Sequence, residues 1–264
     1  MTFDIPRRLH VGHIHTPAQP RVTIVLLHGI GNAAASWQHV ERALPADTRV
    51  IALDLLGFGQ SPKPMRASYN VRVQARSVMR TLLSMGLYHN VILVGHSMGA
   101  LISIDIARRY PWLVRGLVLC SPPIYRTARQ KKRRLVNAEA LLTRAYTSTA
   151  TDAAKKPKLY IQLAKITKAT GLTSPAFQVD SSTIHPYITA LKASIVNQTA
   201  WRDIQRLHKP THIIYSQFDP FVVNKNIIQL AHQPHITAQK VLALHEVTSP
   251  YIQPIRQAID RLIT

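Results

Sequence analysis

A serine hydroxyl becomes a nucleophile when the backbone holds it in the open and a base takes its proton. The pentapeptide Gly95-His96-Ser97-Met98-Gly99 offers the first half of that arrangement, a G-x-S-x-G. The β-branched apolar run Val91–Val94 precedes it and reads as a buried strand. After it, Leu101, Ile104, Ala107 and Arg108 recur at helical spacing until Pro111. Ser97 is therefore expected at a sharp strand-to-helix turn, with its backbone forced towards positive φ. Gly95 and Gly99 flank it because strand and helix pass too close for a Cβ. The helix that follows points its free N–H groups and the positive end of its dipole at whatever Ser97 attacks. The N–H of Met98, one residue past the serine, is then one donor for a developing oxyanion.

Such a turn needs a sheet to carry it. Val22–Leu27 is a continuous apolar run, so it reads as a central strand, and it delivers His28-Gly29-Ile30-Gly31-Asn32. A helix is expected from Ser36 to Leu44, a strand over Arg49–Leu53, and a loop dense in Gly and Pro over 55–64. Val71, Ala75, Val78, Leu82 and Met85 share one face of a helix over 71–85. Gly116–Cys120 is another strand, and residues 7–15 alternate as an edge strand would. Strands alternating with helices imply βαβ units and a mainly parallel sheet. The rhythm breaks at Ser121-Pro122-Pro123 and returns with a strand over Thr211–Ser216. A helix near Asn224–Ala231, a strand over Ala238–Leu244 and a last helix to Leu262 complete it. Residues 122–200 thus read as a helical cap inserted into a core of 1–121 and 201–264, over the sheet edge where open α/β sheets bind ligands.

The chain has 264 residues, enough for one large α/β domain. It carries 33 Lys and Arg against 12 Asp and Glu, a net charge of +21. Residues 122–200 hold 13 Lys and Arg and three acids, and the densest run is Arg126–Arg134. A basic surface attracts acidic proteins, anionic surfaces, anionic substrates or nucleic acid. No nucleic-acid-binding motif accompanies it, so specific nucleic-acid binding is not expected. The single Cys120 cannot form an internal disulfide, the N-terminus lacks the apolar stretch of a signal peptide, and no run approaches the ~20 residues that span a bilayer. These features together fit a cytoplasmic protein without a transmembrane segment.

The segments His28–Gly31, Asp54–Ser61, Gly95–Gly99, Ser216–Val222 and Leu244-His245 together resemble the α/β-hydrolase fold superfamily, in that superfamily's order. The likeness spans essentially the whole chain outside 122–200. It implies a mainly parallel sheet flanked by helices and a nucleophile, acid and histidine that follow one another along the chain. By that order the set is Ser97, Asp219 and His245. Asp219 would orient the His245 imidazole that takes the Ser97 proton. The resemblance also puts the backbone N–H of Ile30 beside that of Met98 in the oxyanion hole. Two departures stand out: Leu244 precedes the histidine where the family commonly has glycine, and Leu56 stands where proline is usual. His208, His212, His232 and His235 are competing histidines, but only His245 lies just beyond the last expected strand. His28 and His96 are assigned loop support, and Asp54 the organisation of a turn. The serine argues against the aspartate-nucleophile branches. No zinc spacing, Walker lysine loop or dinucleotide G-x-G-x-x-G is present, so neither metal nor organic cofactor is expected.

The activity implied is cleavage of a small-molecule carboxylic ester through an acyl-enzyme on Ser97. Three alternatives remain open: hydrolysis of an acyl group carried on an acidic partner protein, hydrolysis of a carbon–carbon bond, and a non-catalytic binding protein on a retained fold.

Overall fold

The computed structural model describes residues 4–126 and 138–264. The basic run Arg126–Arg134 lies outside them except for Arg126. Seven strands form one sheet in the order β1-β3-β2-β4-β5-β6-β7. They are β1 (Val11–His15), β2 (Thr23–Leu27), β3 (Arg49–Leu53), β4 (Val91–His96), β5 (Val114–Cys120), β6 (Thr211–Ser216) and β7 (Ile236–Val241). β1 runs antiparallel on one edge, and every other pairing is parallel.

The central strands are apolar throughout because both of their faces are covered. Alternate residues feed opposite layers. Val25, Leu27, Ile51 and Leu53 join one apolar cluster with α2 (Val71–Ser84) and α3 (Met98–Arg109). Ile24, Leu26, Val50 and Ala52 join the other, with α9 (Ser249–Ile263) and the short α1 (Gln38–Glu41). The chain leaves β2 for β3 on one side and returns to β4 on the other. That reversal puts the topological switch point at the carboxyl ends of β2 and β4, the usual ligand position in such sheets.

Between β5 and β6 the described residues form helices and loops only. These helices are α4 (Ala138–Lys155), α5 (Pro157–Ala169), α6 (Ile184–Ala190) with a π-helical turn at Leu191–Val196, and α7 (Ala200–Ile204). α8 (Asn224–Leu230) joins β6 to β7. Among the described residues no helix is long and apolar enough to cross a membrane.

Three boundaries differ most from the sequence reading. The helix expected over 36–44 is a 3₁₀ turn at Ala34–Trp37 followed by one turn of α1. Pro45 disfavours helical backbone at Leu44, and the chain tightens into Ala43 N–H to Val40 C=O and Leu44 N–H to Glu41 C=O bonds. The edge strand expected from residue 7 begins only at Val11, where pairing with Leu53 starts. The last strand is Ile236–Val241, not 238–244. Its ladder ends where β6 ends, at Ser216 opposite Val241. The apolar residues that suggested a longer strand, Leu242 and Leu244, are 67% and 58% exposed in the loop beyond.

Candidate active site

The turn at Ser97 is as strained as its sequence requires. Its φ is 51° and its ψ −115°, which a non-glycine residue adopts only when its surroundings enforce it. The enforcement is steric. A Cβ on Gly95 would come within 2.5 Å of the Gly99 carbonyl, and one on Gly99 within 2.1 Å of the Leu27 carbonyl in β2. Helix α3 therefore lies directly against the ends of β2 and β4. Ser97 itself is pinned by its N–H to the Cys120 carbonyl (3.0 Å).

His245 reaches this serine from the loop after β7. Its Nε2 lies 2.9 Å from the Ser97 hydroxyl, and its Nδ1 lies 2.7 Å from Asp219 Oδ2. Asp219 sits two residues past the β6–Gln217 corner, and its side chain is wholly buried, whereas that of His245 is 19% exposed. The carboxylate accepts from Nδ1–H, which leaves Nε2 unprotonated and facing the hydroxyl. That tautomer is the one that can draw a proton from Ser97. The structure thus brings Ser97, His245 and Asp219 into one hydrogen-bonded chain. The competing histidines lie elsewhere: His212 pairs with Thr237 and His208 rings face His235, at the amino end of β6 and β7.

The histidine is held on several sides. The His96 Nε2–H donates to the His245 carbonyl (2.8 Å), and the two rings lie 4.9 Å apart. Phe221 meets the imidazole edge-on at 4.9 Å. Burial, and then the neighbouring His245, push His96 below the ordinary imidazole range, so it stays neutral and acts as a donor. Beyond it, Asn32 Nδ2 donates to Glu246 (3.2 Å), which ties the β7 loop to the β2 loop.

Burial alone would push the Asp219 carboxyl up. The hydrogen bond and charge of His245, the Phe221 N–H on Oδ1 (2.8 Å) and the Ser121 hydroxyl outweigh it, so Asp219 is held below the usual carboxylate range. Ser121 and Tyr251 are residues to which the sequence reading assigned no role. The Tyr251 hydroxyl lies 2.6 Å from Ser121 Oγ in a fully buried pair. Burial pushes Tyr251 well above its ordinary range. It therefore remains protonated, and the two hydroxyls share one hydrogen bond behind Asp219. Ser121 follows directly on β5 with a φ of 44°, so strand-end position was the only signal that marked it. Nothing in the sequence marked Tyr251, whose α9 packs from the opposite face of the sheet.

The loop after β2 lies against the serine: a Cβ on Gly29 would come within 3.2 Å of Ser97 Cβ. Ile30 follows on that loop. Met98 is the first residue of α3, so its N–H has no partner inside the helix. His28 keeps the loop in shape. Leu55 N–H donates to its Nε2 (2.9 Å), so Nδ1 carries the proton and donates to the Gly29 carbonyl (2.7 Å). Burial pushes His28 down to about 4. Asp54 stands outside the reacting set. It accepts from Ala34 N–H (2.7 Å), Gln60 N–H (2.8 Å) and His10 Nδ1 (2.9 Å), which makes it the organiser of the loops around it.

The family described as alpha/beta hydrolase fold matches residues 22–247. An uncharacterized protein of Mycobacterium tuberculosis is 45% identical over 98 residues, 37% of this chain and 28% of that protein. A protein of Arabidopsis thaliana named as a probable lysophospholipase is 31% identical over 114 residues, 42% of this chain and 23% of its own length. These alignments span only about a quarter of the relatives they match. Among solved structures, an esterase from Thermogutta terrifontis superimposes with a TM-score of 0.74 at 20% identity, covering 96% of this chain and 94% of that one. At that identity the likeness is one of fold.

Proposed function

The chain belongs to the alpha/beta hydrolase fold family, and on that premise we propose that it is a serine hydrolase that cleaves carboxylic esters through an acyl-enzyme on Ser97. The observation that carries this reading is the continuous Ser97–His245–Asp219 chain, with contacts of 2.9 and 2.7 Å.

In this reading His245 Nε2 takes the Ser97 proton as Oγ attacks the ester carbonyl. Asp219 stabilises the imidazolium that forms and does not itself take the proton. The tetrahedral oxyanion is met by the backbone N–H groups of Met98 and Ile30. Collapse expels the alcohol, which receives the proton from His245 and leaves an acyl group on Oγ. Water, activated by the same Nε2, then attacks the acyl carbon, and the acid departs with Ser97 regenerated. The helices between β5 and β6 serve as the cap that shapes the pocket. Phe177 supports this, because its ring lies where a side chain on Gly31 would have to go, and Gln178 N–H donates to the Gly31 carbonyl (2.7 Å).

The test is turnover of p-nitrophenyl acetate and butyrate, with covalent labelling by a fluorophosphonate read by mass spectrometry. Ester release that stops with Ser97→Ala, and a label found on Ser97 alone, are the expected results. Turnover that survives Ser97→Ala would end the proposal. A folded wild-type protein that takes no label would leave only a fold on which something is bound.

A further inference from the structure

Among the described residues, helix α5 is unlike the other long helices, because none of its 13 residues is buried. Tyr160, Leu163, Ala164 and Thr167 border a cavity of about 220 Å³ shared with Phe177, Val179 and Tyr187 rather than a packed core. The apolar side chains at the rim of that cavity and beside it stay open to solvent. Leu159 is 43% exposed, Leu163 44% and Ile166 57%, and Leu172 just beyond the helix is 62% exposed. Leu159, Leu163 and Ile166 stand at i, i+4 and i+7, so they form one stripe along the helix.

Along α5 itself the charges are of one sign; at its start Lys156 is paired with Asp152 (3.3 Å). Between Asp152 and Asp180 the chain carries five lysines (155, 156, 158, 165 and 168) and no acid. Lys158, Lys165 and Lys168 are exposed along the helix flank. A solvated surface helix normally mixes both signs and keeps leucine and isoleucine inward. An apolar stripe on one side of a helix whose own charges, carried on the other side, are all lysines matches the plane between lipid headgroups and acyl chains. Anionic headgroups complement the lysines, and the acyl boundary takes up the side chains.

We propose that α5 is an adsorption surface for anionic phospholipid bilayers, with Leu159, Leu163, Ile166 and Leu172 entering the headgroup region and the lysines engaging the lipid charge. The placement of α5 gives this a consequence for the site. The segment that follows the helix runs to Phe177 and Gln178, which rest on the Gly31 loop beside Ser97. Adsorption through α5 would hold the segment that rests on the Gly31 loop close to the lipid surface. An acidic protein would satisfy the lysines but leave the leucine stripe unexplained.

The proposal does not depend on the hydrolase reading, so Ser97→Ala protein is used to test it. Sedimentation with vesicles of phosphatidylcholine alone, or mixed with phosphatidylglycerol, reads binding directly. The expected result is binding to the mixed vesicles, little to the neutral ones, and progressive release as salt rises. Each of Lys158→Gln, Lys165→Gln and Lys168→Gln should weaken partitioning roughly fivefold. Leu159→Ser with Ile166→Ser should weaken it at least about tenfold. In the wild-type background these surface variants should leave p-nitrophenyl acetate turnover and thermal melting unchanged, which separates lost adsorption from lost folding. Equal binding to neutral vesicles, or none to anionic ones, would overturn the proposal. So would lysine variants that release the protein while the apolar pair does nothing, or a polyglutamate peptide that competes fully; either result would make the surface a docking site for acidic protein.

Discussion

The loops around Ser97 and the helix α5 are built on opposite plans. Around Ser97 the buried charged and imidazole groups are held by partners: Asp54 holds three donors, His28 bridges two loops, and Asp219 is closed in by His245, Phe221 and Ser121. The buried imidazoles there are kept neutral, and the backbone is held in strained conformations by direct steric contact. Along α5 nothing is buried, and the charges stand in solvent. The contrast separates two demands. Proton transfer needs atoms fixed to a fraction of an ångström, which only a packed, fully bonded frame supplies. Contact with a large or variable partner needs reach and charge, which a loosely seated helix supplies.

If that division holds, damage to the frame should abolish chemistry and damage to α5 should spare it. The largest effect is expected from Ser97→Ala, which should lower kcat on p-nitrophenyl butyrate by roughly 10⁵-fold or more, read against heat-treated protein. Asp219→Asn should follow at about 10³–10⁴-fold, with KM little changed, because the amide stabilises the wrong imidazole tautomer.

A third prediction concerns stability. His28 is neutral in the fold with its pKa pushed down to about 4, against 6.5 for a free histidine. The unfolded chain therefore binds a proton between those values that the folded chain refuses. The stabilisation is complete above pH 6.5 and is lost as pH falls towards 4, for a total of about 3 kcal/mol. Melting curves across that range should show the decline, and His28→Asn should flatten it. His96, also depressed, adds to the same slope.

Smaller still is Ser121→Ala. It removes a hydroxyl that helps hold Asp219 below the usual carboxylate range and should lower kcat about tenfold at constant KM. Tyr251→Phe, which leaves the serine hydroxyl in place, should cost less. At the bottom of the scale, Leu159→Ser with Ile166→Ser should leave small-ester turnover within twofold of wild type. A large loss of kcat in that variant would show that α5 belongs to the frame after all and would erase the contrast.

How much of this was legible beforehand depended on the range of the forces involved. The Ser97 turn was readable because its causes are local: an apolar strand, two glycines and a helical repeat within twenty residues. The organising role of Asp54 was readable because it ends a strand before a glycine-rich loop. The last strand was misplaced because apolar residues at 242–244 suggest burial, whereas the true ladder, Ile236–Val241, is a polar edge set by its register with β6. The exposed stripe of α5 was invisible, since an amphipathic repeat does not say whether its apolar side meets a core.

The sequence by itself determined the sharp turn at Ser97, the alternation of strands and helices, and the basic excess, all of which follow from residue type and short-range spacing. Asp219 and His245 were named only through the order of a family resemblance, and the tertiary structure is what brings them into one hydrogen-bonded chain with Ser97. It alone set Ser121 and Tyr251 behind Asp219 and left α5 uncovered. Those outcomes join residues 26 to 148 positions apart. Contacts over such separations are fixed by how whole layers pack, and a one-dimensional pattern carries no record of that.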